Sequence, residues 1–459
     1  MAGIGFELRR LSRSQTYFGL LRAYLYAGII GSGPWVLSIL AILILGVVSL
    51  GAMAPASQVS DFQISVTWLI ALSLIYSGGT QLAYTRYVAD RLFERESARV
   101  LPNLFGILLV TGLPLLLASI PLSLWLLPGT SPAYRLLMIV SLNLLNLVWV
   151  LTVLLSGLKQ YRWLLLLYFL GYGGSDALGW LALDRAGLGT EGLLLGFVIG
   201  QAVILMGSLA LIWREYPPER LIEFDFLRPG RLHLWLLPTG LLFNAGVWAD
   251  KLLFWLSAGP GQRVIGDLHA SMIYDKPIFL SYFTLIPGMA VFLLRMEVDF
   301  VHAYEHYYGA VRDGGALSAI RAYRTEMVVT AREGIYDIIK VQGFTLLALI
   351  ALGPSLLAVF RIPTLYFPLL AIDSVGVGLQ LLVMAGLNIL FYLDRLRTAA
   401  AISVTMLLGN LGFSYLSLLL GPFYYGYGFV LAMLVPAVLV LAVIDRAMDR
   451  LNYTTFMLR

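Results

Sequence analysis

The segment His302-Ala303-Tyr304-Glu305-His306 has the spacing of an H-x-x-E-H metal motif, two histidines that share one helical face with an acid between them. Such a pattern makes a metal centre only when further ligands and a catalytic context accompany it. The two other histidines are His233, expected at the inner leaflet, and His269, expected outside, so neither serves as a third ligand. No metal site and no cofactor are therefore expected. A second set of reactive residues lies in apolar stretches: Asp176, Asp250-Lys251, Asp275-Lys276 and Asp373. An ionisable group at the centre of a bilayer costs roughly 2.5–3.5 kcal/mol on insertion scales, so such groups pair, face a cavity or mark a transport path.

The surroundings of these residues define the class. The 459-residue chain is 59% hydrophobic and 12% charged. A soluble domain carries roughly 25% charged residues. Twelve apolar stretches are expected to cross the membrane, at about 20–50, 62–86, 102–127, 133–157, 163–183, 190–213, 233–257, 268–296, 342–360, 366–393, 398–420 and 424–445. Each contains the ~20 residues that a helical span needs, and the runs are too long for barrel strands. The expected fold is an all-α polytopic membrane protein. There is no cysteine, which removes disulfides and thiol chemistry. Walker and dinucleotide fingerprints are also missing, and no connection is long enough for a soluble catalytic domain. An enzyme is not expected.

Basic residues orient the spans. With the N-terminus inside, 25 of the 31 Lys and Arg fall in the termini and the even-numbered connections. The exceptions are Arg135, Arg185, Lys251, Arg263, Lys276 and Arg361. This is a positive-inside pattern, and twelve spans put both termini in the cytoplasm. The net charge of +5 thus reads as topology and implies no nucleic-acid partner. Ala52-Met53-Ala54 resembles a signal cleavage site, but the apolar stretch before it is about twice too long, and cleavage is not expected.

The polar, Pro-containing connection 214–232 divides the spans six and six, which suggests an N-terminal lobe 1–213 and a C-terminal lobe 233–459 joined by a cytoplasmic linker. Within the second lobe, segment 297–341 mixes charges with Tyr, Ile and Met at intervals near three and four. It predicts an extension of span eight, a turn at Gly314-Gly315 and an amphipathic helix returning to span nine. That helix either lies on lipid headgroups or offers a docking surface. Residues 1–18 predict a basic amphipathic lead-in helix.

Asp250-Lys251 and Asp275-Lys276 fall at similar depths on neighbouring spans, so Asp250 could pair with Lys276 and Lys251 with Asp275. They form either a structural ion-pair cluster or the polar wall of a translocation cavity. Asp176 sits among Gly171, Gly173 and Gly174, whose lack of side chains lets a neighbouring helix approach. Asp373 precedes Gly376 and Gly378. Gln81, Asn143, Asn146, Gln201, Asn244, Gln380, Asn388 and Asn410 serve either as helix glue or as sugar-binding amides. Gly33-Pro34 and Pro277, with Pro287-Gly288 deeper in span eight, predict kinks that suit hinges.

Gly3-Ile4-Gly5-Phe6-Glu7-Leu8-Arg9, Leu21-Arg22-Ala23-Tyr24-Leu25-Tyr26-Ala27-Gly28 and Ser32-Gly33-Pro34-Trp35-Val36 resemble the PelG family. Trp248-Ala249-Asp250-Lys251, Tyr274-Asp275-Lys276-Pro277, Met296-Glu297-Val298-Asp299-Phe300 and Tyr307-Tyr308 extend the resemblance through the chain. It implies an inner-membrane transporter of Pel exopolysaccharide, related to Wzx-type flippases, with two six-helix lobes around a central cavity. It also implies a partly cationic polymer rich in galactosamine and N-acetylgalactosamine. The implied partners are a PelF-like glycosyltransferase, a PelD-like cyclic-di-GMP receptor and a PelE-like membrane protein. An ion-coupled antiporter and a scaffold that recruits a synthase are the competing functions.

The cysteine-free chain makes sidedness directly measurable. Ser97→Cys is expected to resist an impermeant maleimide added to intact cells, and Thr130→Cys to react with it. The opposite pattern overturns the orientation.

Overall fold

The computed structural model describes residues 56–457 apart from Lys159, Ala186 and Arg361, together with Tyr24, Ala27, Gly28, Ser38 and Ile39. Most of the first expected span, the lead-in helix and Gly33-Pro34 lie outside the described residues. The remaining chain is helical almost throughout: α1 (Ala56–Phe93), α2 (Val100–Leu126), α3 (Pro132–Gly157), α4 (Tyr161–Asp184), α5 (Gly189–Glu215) and α6 (Leu236–Leu256). After a short hairpin follow α7 (Met272–Ser281), α8 (Leu285–Leu294), α9 (Val301–Arg312) and α10 (Leu317–Val359). The chain closes with α11 (Phe367–Tyr392), α12 (Leu396–Leu420), α13 (Tyr427–Asp449) and α14 (Leu451–Met457).

Among the described residues, ten helical stretches are long and apolar enough to cross a membrane. They coincide with expected spans two to six and eight to twelve. Span seven is α6, whose 21 residues reach about 32 Å, enough for a hydrocarbon core of ~30 Å. The connection before span eight departs from the expectation. Residues 262–265 and 268–270 form an antiparallel hairpin, β1 (Gln262–Ile265) with β2 (Leu268–Ala270), where a turn and the start of a helix were expected. Gly266 (φ +59°) turns it, Asp267 N donates to Leu126 O at 2.7 Å, and Trp68 Nε1 donates to His269 O at 2.8 Å. These long-range bonds win over the helical pattern read from the sequence.

The chain packs as two compact units, one of 34–272 and one that includes 273–459. The connection 214–232 is a docked part of the first unit. Asp225 is buried there, accepting from Tyr87 OH at 3.2 Å and pairing with Arg99 at 3.4 Å and Arg228 at 3.0 Å. Phe226 packs edge-on against Tyr84 and Tyr87.

Close helix crossings in this unit rest on missing side chains. Gly78 of α1 and Gly240 of α6 face each other so tightly that a Cβ on either would stand 2.1–2.6 Å from the other's carbonyl oxygen. Gly171, Ser175 and Gly179 of α4 meet Gly196 and Gly200 of α5, small residues at four-residue spacing, and Gly192 packs on Ala182. In lipid the hydrophobic effect does not drive helices together, so such backbone packing does.

In the second unit, the rod 272–312 is interrupted just ahead of Pro287 and continues through Pro277. Pro277 lies inside α7, and Pro287 lacks the donor that would bond the carbonyl of Phe283. Phe283 sits in the 3-10 turn Tyr282–Thr284 that separates α7 from α8. A π-helical segment, Arg295–Phe300, then leads into α9. The turn at Gly314 (φ +68°) follows, and α10 returns as 43 unbroken residues. At about 65 Å it is twice the hydrocarbon thickness, so its polar first half projects beyond the bilayer. Arg324 fixes that half by donating to the Met448 carbonyl at 2.8 Å and the Asp449 carbonyl at 2.8 Å, capping the end of α13.

Gly196→Ala is expected to destabilise the first unit by about 1–3 kcal/mol, since its Cβ would stand 2.5 Å from Gly179 N and 2.7 Å from Ser175 O. Gly173→Ala, with nothing within 4 Å, should be neutral or slightly stabilising. Equilibrium unfolding of the purified protein in mixed micelles distinguishes the two.

Candidate functional site

The first unit encloses a charge pair at its core. Asp250 and Lys251 are 0% and 1% exposed. As sequence neighbours their side chains diverge by about 100° around α6. Lys251 nevertheless folds back, its ammonium 3.2 Å from the Asp250 carboxylate and 2.9 Å from the carbonyl of Val247. The walls are aromatic: Trp68 and Trp255 lie 4.9 Å apart between ring centroids, Trp248 and Trp255 6.1 Å. An ammonium and a carboxylate removed from water persist only with such partners, because stranding either charge costs several kcal/mol.

Asp176 projects from α4 beside the glycine-lined crossing. It is half-buried and makes no hydrogen bond or ion pair among the described residues. Its neighbour Ser175 is turned into the α5 contact. The helix face carrying the acid is thus held in place by backbone packing. Deeper in the same unit, Asn146 of α3 and Gln201 of α5 are fully buried, and neither oxygen nor nitrogen of the Asn146 amide has a hydrogen-bond partner among the described residues. A buried amide without a partner costs ~1–3 kcal/mol, so this position suits a passing hydroxyl or water. Other amides are glue: Asn244 donates to Leu74 O at 2.8 Å, joining α6 to α1.

The second unit holds the remaining expected residues. Asp275 lies in the first turn of α7, where the helix dipole favours an acid, and Lys276 beside it is exposed. Asp373 of α11 is fully buried. Its carboxylate faces the start of α13, where a Cβ on Gly426 (φ +86°) would come within 2.7 Å of Oδ1. Glycine at that position lets the acid approach the positive helix end. Gln380 accepts from Tyr282 OH at 3.1 Å, beside the break in the rod.

A further polar cluster arises at the π-helical segment. Glu297 accepts from Asn388 Nδ2 at 2.8 Å and from Tyr392 OH at 3.3 Å. Arg295 pairs with Asp299 at 3.0 Å and with Asp337 of α10 at 2.7 Å. Sequence reasoning assigned 297–341 to an interfacial segment and missed Glu297 as a member of this site. The available signal was Glu297 just beyond an apolar run, with Asn388 as an amide in another span. Irregular π-turns of this kind occur often at functional positions.

Buried charges on packed helices and an interrupted membrane-length helix are features of membrane transporters. The family model described as "PelG: Putative exopolysaccharide Exporter (EPS-E)" matches residues 1–456. The chain belongs to the PelG family. No curated protein matches it. Among solved structures it is similar to an outward-facing multidrug resistance MATE family transporter of the MOP superfamily, with TM-score 0.69 and 14% identity over 94% of this chain and 97% of that one. It is also similar to a MOP superfamily transporter from Pyrococcus furiosus, with TM-score 0.64 and 15% identity over 93% and 95% of the two chains. A MATE structure in complex with MaL6 gives TM-score 0.64 at 13% identity over 94% and 98%. These likenesses establish the fold. The PelG member is a multi-pass inner-membrane protein with the family and fold of a transporter.

Lys251→Met and Asp250→Asn are each expected to destabilise the first unit by about 3–5 kcal/mol, because each strands a buried partner. The double variant should recover part of that loss. Unfolding of all three in mixed micelles measures it, and a double-variant loss equal to the sum of the two single losses would show that the two charges do not support one another.

Proposed function

We propose that this chain is the route by which Pel polysaccharide, a partly cationic polymer rich in galactosamine and N-acetylgalactosamine, crosses the bacterial inner membrane. The observation that carries the proposal is the family match over residues 1–456 in a chain whose described helices fold like those of MOP transporters. The chemistry agrees with it. Asp176, Asp250, Asp275 and Asp373 supply negative charge for protonated amino sugars, while Lys251 and Lys276 keep that charge from binding the polymer too tightly to release. Asn146 and Gln201 supply neutral hydrogen bonds to hydroxyls. Pro277 and the helix interruption just ahead of Pro287 are the hinges that alternating access uses. Both termini and the projecting α9–α10 hairpin face the cytoplasm. There the hairpin receives a PelF-like glycosyltransferase, with PelD-like and PelE-like partners alongside.

Inside-out vesicles containing the cytoplasmic synthase and a labelled nucleotide sugar test this directly. Polymer protected from an added glycosidase is expected only when this chain is present, with total synthesis unchanged. Asp176, Asp250, Asp275 and Asp373 changed together to Asn should cut the protected fraction at least tenfold in protein that still elutes as a monodisperse peak. Unchanged protection removes the acids from the pathway. Loss of all synthesis makes the chain a scaffold, and proton-driven uptake of a small cation into liposomes without polymer transport makes it an antiporter.

A further inference from the structure

The histidine pair set aside for want of a third ligand acquires one in the folded chain. His302 and His306 lie one turn apart on α9 with ring centroids 4.0 Å from each other. Glu326, on the antiparallel α10, brings its carboxylate to 4.0 Å from His306 Nδ1. One ligand atom from each of the three lies within 4.8 Å of the other two. Among the described residues this is the one cluster of three such donors. Glu305, the acid of the H-x-x-E-H pattern, is not part of it; it is exposed on the same helix.

We propose that His302, His306 and Glu326 bind a divalent transition metal, with zinc the best match, and that the ion staples α9 to α10. Two imidazoles and a carboxylate form a ligand set that zinc takes in tetrahedral sites, leaving the fourth position to water. Magnesium and calcium prefer all-oxygen shells and are disfavoured here. Zinc bonds of ~2.0–2.2 Å put tetrahedral ligand atoms roughly 3.3 Å apart, so the widest separation, within 4.8 Å here, must close by up to about 1.5 Å. The side chains have the freedom to do it: His306 and Glu326 are 42% and 47% exposed. Their backbones are anchored by buried neighbours. Tyr307, next to His306, is fully buried and donates to Asn452 Oδ1 at 3.0 Å; Met327, next to Glu326, is fully buried too. The ligands therefore project from two anchored helices. In the same stretch of α10, Arg324 caps α13, so a metal here braces the base of the projecting hairpin.

The test uses the full-length protein in detergent, stripped with EDTA and titrated with Zn(II), and separately with Co(II). One equivalent of Zn(II) is expected to bind and to raise the melting temperature. Co(II) should give the intense visible bands of tetrahedral coordination. His306→Ala should abolish the equivalent, and Glu326→Gln should weaken it more than about tenfold. Unchanged binding in either variant, or an octahedral Co(II) spectrum in the parent protein, overturns the proposal. So does a parent that binds no more metal than a His302→Ala/His306→Ala/Glu326→Ala variant. The Co(II) spectrum of the parent decides the question even where a variant fails to fold.

Discussion

Hydrocarbon offers a peptide group no hydrogen-bond partner, and this single deficit organises the molecule. Each segment must close its own backbone bonds, so the chain becomes a series of helices whose length follows bilayer thickness. Apolar side chains cannot then drive those helices together, because lipid is as apolar as they are. Cohesion falls to backbone proximity and to polar contacts. The glycine crossings at Gly78 with Gly240, and at Gly196 and Gly200 against α4, provide the first. Asn244 on Leu74 and Tyr282 on Gln380 provide the second.

The same deficit makes the departures from apolar regularity informative. Asp250 and Lys251 survive burial by pairing within one helix, which keeps a strong local field at almost no net charge. Asp373 sits against the start of a helix. Glu297 gathers an amide and a phenol where the backbone widens into a π-turn. The first pair is closed within one helix, whereas Asp373 and Glu297 depend on a neighbour supplied by another part of the fold.

Outside the bilayer the rules change, and so does the architecture. The α9–α10 hairpin is held by Arg295 to Asp337, Arg332 to Asp445 and Arg324 to the end of α13. Arginine dominates these contacts because its fork reaches carbonyls and carboxylates together. The hairpin is therefore a rigid extension of the second unit.

The amino-acid sequence by itself determined the class, the positions of the described spans and the turn at Gly314, because hydropathy and glycine's access to positive φ are local properties. It also exposed the buried charges, since an acid in an apolar run needs no partner to be noticed. What it could not contain was partnership. Whether 262–270 docks as a strand pair, whether 214–232 is a loose linker or a docked segment, and whether two histidines find a carboxylate all depend on residues about 20 to 200 positions away. Those distances are closed only by packing, so tertiary structure decided the pairings and, with them, which of the conspicuous residues can act together.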